Sequence, residues 1–416
     1  MRRMILILAV ATLACQPRPI PPDPGLPWES AYPRIATYAP HNLRWADMTE
    51  AQKAQLCRSG MIIINEPPEV IAEIRERNPE ALIAHSFMPQ WSALTSTGDT
   101  DWKPSELIAH EAARNGWFLY TVDQNPIATW PPRWHILNWT RHCPRSSDGL
   151  TAQDFVGRHL IPRLRAFDYD VIILEVVAET IWRGWLRGHQ HEIDLDRDGR
   201  ADPIEEVNAE FAEATRRFLV DFRQTVGPDV QIIVGGDSFA PASPLVDGIL
   251  IEDALHRNVP RWTWPHEFYQ TPPGRRGLIW ARTFYGTESH TIFEVLTNET
   301  DGPAEPMNRR IRLAMGTALL TDAWFCVRLP RWDLPPGQPP IDPWYEEFDL
   351  KLGRYGAPIE KIIIEADTLY RRRFFSSEAH YQVRPTDWTG QVRVNPSGHE
   401  LAGVPPYDAE IRSASP

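Results

Sequence analysis

Short, continuous apolar runs recur along the first 330 residues of the chain, and polar or amphipathic stretches separate them. Such runs are typical of strands that are buried on both faces of a parallel sheet. The pattern predicts strands at 35–38, 61–65, 81–84, 169–175, 230–234, 246–252, 278–282 and 324–327.

Between most of these runs, apolar residues recur at helical spacing. They predict helices over 49–58, 68–77, 104–115, 154–167, 204–226 and 307–320. Strands that alternate with helices indicate an α/β fold, and eight such strands predict a (β/α)8 TIM barrel. The alternative is an open doubly wound sheet. The chain has no GxGxxG after its first strand and no P-loop, so nucleotide-binding versions of that sheet lose support.

Two stretches depart from this alternation. Residues 117–122 form an extra apolar run, and irregular chain follows up to residue 140, so we expect an insertion over one mouth of the barrel. Beyond residue 330 the chain is rich in proline, and runs at 370–376 and 391–395 predict a small C-terminal β module. We therefore predict a barrel at 34–330 and, at 331–416, a connection followed by this module.

The N-terminal segment has the composition of an export signal. Arg2 and Arg3 precede a short apolar stretch, and Cys15 follows Ala14 as in a bacterial lipobox. We predict a signal peptide at 1–15 and a Pro-rich tether at 16–33. The protein is then exported and lipid-anchored at the bacterial cell envelope, and it meets the membrane only through that anchor. If the signal is simply cleaved, the protein is secreted.

Charge narrows the range of partners. Asp and Glu number 55 against 43 Lys and Arg, which gives a net charge of -12 and argues against a nucleic-acid partner. The 17 tryptophans suit either a large core or the flat faces of sugars. Beyond Cys15 only Cys57, Cys143 and Cys326 remain, which make no disulfide framework and no metal-binding spacing.

Carboxylates follow several predicted strands. In such barrels the catalytic groups lie at the carboxyl ends of the strands, and glycoside cleavage requires two positioned carboxylates. Glu175 and Glu252 follow the fourth and sixth strands, so we predict Glu175 as nucleophile or base and Glu252 as acid, with Asp237 in reserve. Each alone could instead cap a helix or pair with an arginine.

The same rim is predicted to bind the substrate. The candidate sugar-binding residues are Asn65, His85, Trp182, Arg282 and Tyr285. Several tryptophans fall in predicted loops or in the insertion: Trp130, Trp134, Trp139, Trp182, Trp185, Trp262 and Trp264. One such tryptophan is more typical of packing, but the group favours a carbohydrate cleft. The chain has no HExxH motif and no Ser/His/Asp motif.

An Asp-rich loop follows the fourth strand and matches the calcium-binding EF-hand pattern. The predicted ligands, at positions 1, 3, 5, 7, 9 and 12, are Asp194, Asp196, Asp198, Arg200 through its carbonyl, Asp202 and Glu205. Gly199 stands at the sharp turn. We predict a structural Ca²⁺ ion here, because so many carboxylates would repel one another without a cation. A solvated acidic loop that leads into the next helix is the alternative.

Taken together, several stretches resemble the hypothetical glycoside-hydrolase-like family fifteen. They lie at 32–35, 117–119, 194–202, 247–252, 319–322, 344–353, 370–374 and 394–396. The most specific of them are Leu319-Leu320-Thr321-Asp322 and Glu347-Phe348-Asp349-Leu350-Lys351-Leu352-Gly353. In two places the chain departs from the family: Glu175 replaces an Asp, and Ala323 replaces a frequent Gly.

The resemblance implies a TIM barrel with a short β tail that acts on a polysaccharide. With the residues above, it predicts a glycoside hydrolase that uses two carboxylates on an extracellular polysaccharide or oligosaccharide. One alternative is a non-catalytic glycan-binding surface lipoprotein on the same barrel. The other is a different barrel hydrolase or lyase that uses the same acids.

Overall fold

The computed structural model describes the following residues: 34–39, 44–94, 104–129, 134–177, 180–181, 189–235, 246–251, 290–296, 324–328, 344, 348, 360–364, 367–373, 377–384 and 389–396. The predicted signal and tether at 1–33 and the predicted helix at 307–320 lie outside these residues. None of the helices in the described ranges is both long enough and apolar enough to cross a membrane.

Eight parallel strands form a closed barrel. They are β1 (Ile35–Tyr38), β2 (Met61–Ile63), β3 (Leu82–Phe87), β4 (Val171–Leu174), β5 (Gln231–Gly235), β6 (Gly248–Ile251), β7 (His290–Leu296) and β8 (Trp324–Arg328). Each strand pairs with its neighbour in the chain, and β8 pairs with β1 through Ile35–Phe325 and Ala36–Cys326. The predicted TIM barrel is confirmed, because an open doubly wound sheet would leave two edges unpaired.

The position of the seventh strand is a correction. The apolar run at 278–282 was predicted to form it, but β7 is formed by His290–Leu296, which pairs with β6 and β8. Residues 278–282 lie outside the described residues. The stretch 290–296 carries His290 and Glu294 within its run, and these charged or polar residues made it a weaker apolar signal than Leu278-Ile279-Trp280.

Side chains of the barrel strands alternate between two cores, as the period of two in a strand requires. The inner core fills the barrel and contains Ala36, Tyr38, Met61, Ile63, Leu82, Ala84, Val171, Ile173, Ile233, Leu250, Trp324 and Cys326. The intervening residues, such as Ile62, Ile83, Ile172 and Ile232, face the helices and belong to the outer core. The interior of the barrel is therefore packed, and chemistry is confined to its ends.

Helices cover the outside of the first five strands. They are α1 (Glu50–Leu56), α2 (Pro68–Arg77), α3 (Pro104–Asn115), α4 (Ala152–Phe155), α5 (Ile161–Ala166) and α6 (Ile204–Val226). Thr49 caps α1 through a reciprocal pair of bonds with Gln52, which is the reason that this helix begins where the sequence predicts. Gly227 ends α6 with a φ of +81°, in the left-handed region that glycine tolerates.

The helix predicted over 154–167 begins two residues earlier and contains one π turn. Thr151 caps it through a capping box with Asp154, so α4 begins at Ala152. The π turn Val156–Leu160 joins α4 to α5. Pro162 has no N–H to bond the carbonyl four residues earlier, and this missing bond explains why the α-helical pattern is interrupted there.

The insertion between β3 and β4 is held by two short antiparallel pairs. The strand Trp91–Ala93 pairs with Trp134–Ile136, and Tyr120–Thr121 pairs with Ile193–Asp194. The predicted strand at 117–122 is thus reduced to two residues, with an isolated bridge from Phe118 to Leu137. This second pair ties the insertion to the Asp-rich loop.

A separate antiparallel sheet follows the barrel. Its strands are β9 (Glu360–Ile364), β10 (Asp367–Arg373), β11 (Ser377–Arg384) and β12 (Thr389–Pro396), paired in chain order. The two predicted strands of the C-terminal module correspond to β10 and β12. The domain boundary near residue 330 stays a prediction.

The partly buried carboxylate of Asp170 joins β3 to β4 at the amino-terminal end of the barrel. Oδ2 of Asp170, which precedes β4, accepts hydrogen bonds from the backbone N of Ile83 at 2.8 Å and from Nη2 of Arg75 at 3.1 Å. Arg75 lies on α2, so the single carboxylate links two strands and one helix.

The same arrangement recurs two strands further on. Oδ2 of Asp247, which precedes β6, accepts hydrogen bonds from the backbone N of Ile232 at 2.7 Å and from Nη2 of Arg223 on α6. Asp170 and Asp247 thus make the same contacts: each precedes a strand and accepts hydrogen bonds from the backbone of the preceding strand and from an arginine of a helix.

Asp170→Asn is expected to lower the free energy of unfolding by about 1–2 kcal/mol, because the bonds to Ile83 and Arg75 lose their charge assistance. Asp168→Asn is the matched control: Asp168 also pairs with Arg75, but its side chain is 84% exposed, so its loss should cost less than about 0.5 kcal/mol. Urea unfolding measures both variants. Equal losses would show that the bond to the strand backbone contributes nothing.

Candidate active site

Three polar residues meet where β2, β3 and β4 reach the carboxyl end of the barrel. Asn65 lies two residues after β2, Ser86 lies near the end of β3, and Glu175 directly follows β4. The residues two positions earlier, Ile63 and Ala84, point into the barrel, so the strand period directs Asn65 and Ser86 inward as well. We call Asn65, Ser86 and Glu175 the rim cluster.

The side chain of Asn65 extends the pairing of β2 with β3. Ile64 makes the last backbone bond, from its N to the carbonyl of Ala84 at 2.9 Å. Beyond it, Oδ1 of Asn65 accepts from the N of Ser86 at 2.9 Å, and its Nδ2 donates to the O of Ser86 at 2.6 Å. Asn65, predicted to bind substrate, therefore uses its amide to fix the backbone of Ser86.

Ser86 in turn contacts the predicted catalytic carboxylate. Its hydroxyl donates a short hydrogen bond to Oε1 of Glu175, and the backbone N of Glu175 donates to the O of Phe87 at 2.9 Å. Ser86 is buried and Glu175 is half-buried. Among the described residues, Ser86 makes the only hydrogen bond to this carboxylate, and none of them bonds to Oε2.

The backbone around Glu175 is unusual. Val176 has a φ of +54°, a conformation that β-branched residues rarely adopt and that tends to occur at functional sites. Gly235, the last residue of β5, lies so close that a Cβ there would be 3.3 Å from the Cα of Glu175. The missing side chain at Gly235 thus allows the chain to turn sharply after β4.

Several predicted site residues lie outside the described residues: Asp237, Glu252, Trp182, Arg282 and Tyr285. The structure does describe the strands that precede Asp237 and Glu252: β5 ends at Gly235, and β6 ends at Ile251. Only β5 separates β4 from β6. The backbones of β4 and β6 are therefore about 10 Å apart, a separation that two inward-reaching carboxylates can span.

Arg282 and Tyr285 were predicted at the rim because a seventh strand was predicted at 278–282. Since β7 is formed by His290–Leu296, that reason for placing them at the rim no longer holds.

His85 was predicted at the rim, and its placement is a correction. It lies within β3, which extends to Phe87, and its ring packs against Phe87 and Tyr169 on the helix side of the sheet at 6.0 and 4.9 Å. The side chain is fully buried and points away from the rim cluster. The predicted strand ended at Ala84, three residues before β3 ends at Phe87, and for this reason His85 was assigned to the mouth.

Burial lowers the pKa of His85 from 6.5 to about 3, because the charged imidazolium would lose its hydration. Unfolded chains bind a proton at this residue below pH 6.5, whereas the native protein does not until about pH 3. Stability from this group is therefore present above pH 6.5 and is lost as the pH falls. At pH 4 the loss is roughly 3 kcal/mol.

We expect His85→Phe to lose less of its free energy of unfolding than the wild type when the pH falls from 7 to 4. Phe can pack between Phe87 and Tyr169, and it does not bind a proton in the unfolded chain. Urea unfolding of both proteins at several pH values between 4 and 7 measures the difference. An unchanged slope in the variant would show that His85 is not held neutral in the native protein.

The described tryptophans of the insertion are mainly packing residues. Trp139 is fully buried and meets Phe218 of α6 edge-on at 5.0 Å, and Trp117 is buried against Phe155. Trp134 is half-buried. Trp130, Trp182, Trp185, Trp262 and Trp264 lie outside the described residues. Among the described members of this set, only Trp134 retains the exposure that sugar stacking needs.

Three carboxylates of the Asp-rich loop converge. The ligand atoms of Asp194, Asp196 and Asp202 all lie within 4.8 Å of one another, and Asp194 is buried. Asp198 and Glu205 are outside this group: Oδ1 of Asp198 accepts from the N of Arg200, and Glu205 is exposed in the first turn of α6.

The loop is also joined to the insertion. The amide Nδ2 of Asn138 donates to the O of Leu195 at 2.9 Å, and the N of Val122 donates to the O of Glu192 at 2.8 Å. Arg197 lies over the ring of Tyr120 at 4.0 Å. These contacts hold the loop against the insertion.

No protein-family model matches the sequence, and none of the curated proteins matches it significantly. Solved structures with a similar fold include the maltogenic alpha-amylase AmyB from Thermotoga neapolitana, with 11% identity, a TM-score of 0.43, and coverage of 88% of this chain and 89% of that one. The isomaltulose synthase SmuA from Protaminobacter rubrum matches with 8% identity and a TM-score of 0.45, and the match covers 88% of this chain and 92% of that one.

A family 39 glycoside hydrolase from Bacteroides cellulosilyticus WH2 is also similar, with 11% identity, a TM-score of 0.41, and coverage of 88% and 73% of the two chains. With TM-scores below 0.5, these similarities do not bear on the activity of this chain. The resemblance to glycoside-hydrolase-like family fifteen stays a prediction.

Proposed function

We propose that the protein is a glycoside hydrolase that acts on an extracellular polysaccharide or oligosaccharide. The observation that carries this proposal is the half-buried carboxylate of Glu175 at the carboxyl end of a closed parallel barrel, with one oxygen held by Ser86. This end is where barrel enzymes hold their catalytic groups. The sharp turn at Val176 and the close approach of Gly235 also suit a site that fixes one side chain.

In this proposal Glu175 is the nucleophile or base, and Glu252 is the acid that protonates the leaving oxygen. Asp237 is the alternative second carboxylate. A separation of roughly 5 Å between the two carboxyl groups would produce retention at the anomeric carbon, and about 6.5–9.5 Å would leave room for a water and produce inversion. The half-buried Trp134 is the described aromatic residue best suited to stack on a sugar.

The second candidate is a glycan-binding surface lipoprotein without turnover. It needs no second carboxylate, and the half-buried Trp134 would serve it for stacking on a sugar as well as it would serve a hydrolase. A different barrel hydrolase or lyase that uses Glu175 is the third candidate.

One screen distinguishes them: purified protein is incubated with a panel of polysaccharides, and both new reducing ends and binding are measured. New reducing ends in products that carry no new double bond support the hydrolase. Binding without product supports the surface lipoprotein, and products with a new double bond indicate a lyase.

We also propose that Asp194, Asp196 and Asp202 hold a structural Ca²⁺ ion. Carboxylate oxygens are the ligands that Ca²⁺ prefers, and these three converge in a loop that matches the EF-hand spacing. A bound cation would neutralise their repulsion and fix the link between the loop and the insertion.

Removal of Ca²⁺ with EGTA is expected to lower the thermal unfolding temperature by about 3 °C or more, because an ion at 100 times its Kd stabilises by about 2.7 kcal/mol. Asp202→Asn should abolish this response. The exposed Asp148 serves as the control, since Asp148→Asn should respond as the wild type does. A wild type that is insensitive to EGTA would contradict the calcium site.

We further propose that the protein is exported and held at the bacterial cell envelope by a lipid on Cys15. Cys15→Ser should release the protein from the membrane fraction of an expressing bacterium, and mass spectrometry of the mature N-terminus would identify the lipid. If the wild type itself is found only in the medium, the cleaved-signal alternative is correct.

A further inference from the structure

Ser86 is a residue that the sequence pattern did not single out, and the structure places it between Asn65 and Glu175. We propose that Ser86 is a positioning residue for Glu175: its hydroxyl holds Oε1 and thereby directs Oε2 toward the reacting sugar. The catalytic part of this inference rests on the proposed hydrolase function, whereas the positional part concerns only the geometry of the rim cluster.

Three observations fix the position of Ser86 itself. It lies within β3, its backbone N and O are both bonded by the amide of Asn65, and the residue is only 4% exposed. A serine hydroxyl usually rotates among several partners. Here the backbone is immobilised and solvent is excluded, so the hydroxyl is committed to the neighbouring carboxylate.

The carboxylate otherwise has few restraints. Glu175 follows β4 in a turn, its side chain is half-buried, and no other described residue bonds to it. A glutamate side chain has three rotatable bonds, and a nucleophile that is misplaced by about 1 Å can lose on the order of 100-fold in rate. Among the contacts that the described residues make, the bond from Ser86 is therefore the one that can select an orientation of this side chain.

The two ends of the cluster have different roles. Asn65 acts on the backbone of Ser86, so its loss should disturb the strand pairing and the stability. Ser86 acts on the carboxylate, so its loss should alter the reacting group. Only Glu175 would touch the substrate, and it alone is a catalytic residue in this arrangement.

Ser86→Ala tests the inference, with kcat and KM measured on a polysaccharide that the wild type hydrolyses. We expect kcat to fall about 10- to 100-fold while KM changes less than about threefold, because binding of the sugar does not depend on this hydroxyl. Ser86→Thr keeps the hydroxyl and should recover most of the loss.

Ser59→Ala is the matched control. Ser59 is also a fully buried serine, and its hydroxyl is 2.5 Å from that of Thr37, but it precedes β2 at the opposite end of the barrel. This variant should lose stability and keep kcat. If Ser86→Ala keeps kcat as Ser59→Ala does, the inference is overturned.

Crystal structures of the wild type and of Ser86→Ala give a readout that does not need activity. The inference requires that the carboxylate of Glu175 adopts another rotamer or becomes disordered in the variant. An unchanged carboxylate would overturn it. If the wild type hydrolyses nothing in the panel but the carboxylate moves in the variant, the hydrolase proposal fails while the positional role of Ser86 stands.

Discussion

Glu175→Gln is expected to lower kcat by about 10³-fold, with little change in the affinity for the glycan. A glutamine keeps the shape of the side chain and an oxygen that can accept the hydrogen bond from Ser86. It cannot act as a nucleophile or accept a proton, and loss of one such group typically costs on the order of 10²–10⁴ in rate. The measurement is initial rates beside a binding isotherm for the same polysaccharide.

Glu66→Gln is the appropriate control for this experiment. Glu66 also follows a barrel strand, but its side chain lies on the outer side, where Oε1 accepts from the backbone N of Trp45 at 2.8 Å. It should affect stability and leave kcat unchanged. Comparable turnover in Glu175→Gln and Glu66→Gln would eliminate the mechanism in which Glu175 is nucleophile or base, whereas a wild type without turnover would favour the glycan-binding module.

The fold could be predicted largely from the sequence because the parallel strands are buried on both faces. β1, α2, α3 and α6 begin and end at the predicted residues. These segments have strong local signals: continuous apolar runs, Pro68 in a first turn, and glycines at helix ends. β7 was misplaced because the choice between two candidate runs depends on which one closes the barrel, and local pattern does not contain that information.

The candidate site was less predictable, and the reason is the period of a strand. Because β3 continues through Phe87, the alternation that turns Leu82 and Ala84 inward also decides that Ser86, and not His85, faces the inside of the barrel. The prediction placed His85 at the rim as a residue that follows the third strand, and the structure directs Ser86 inward instead. Likewise Asn65 was expected at the rim, but its bond to Ser86 could not be foreseen because register between β2 and β3 sets it.

Trp139 illustrates how burial decides between two roles of one residue type. The sequence places it among tryptophans that could stack on sugars. In the structure it is fully buried, and it meets Phe218 edge-on at 5.0 Å between the insertion and α6. A side chain without solvent exposure cannot meet a polysaccharide, so its contribution must be to packing.

Trp139→Ala is therefore expected to lower the free energy of unfolding by about 3–5 kcal/mol, the usual cost of deleting a large buried aromatic side chain. Glycan affinity of the protein that remains folded should stay close to that of the wild type. Trp134→Ala provides the contrast, since Trp134 is half-buried in the same insertion and should lose glycan affinity with a smaller loss of stability. Denaturant unfolding and binding isotherms of both variants measure the two effects. If Trp139→Ala instead weakened binding and left stability intact, the insertion would have to open and present this residue to the sugar.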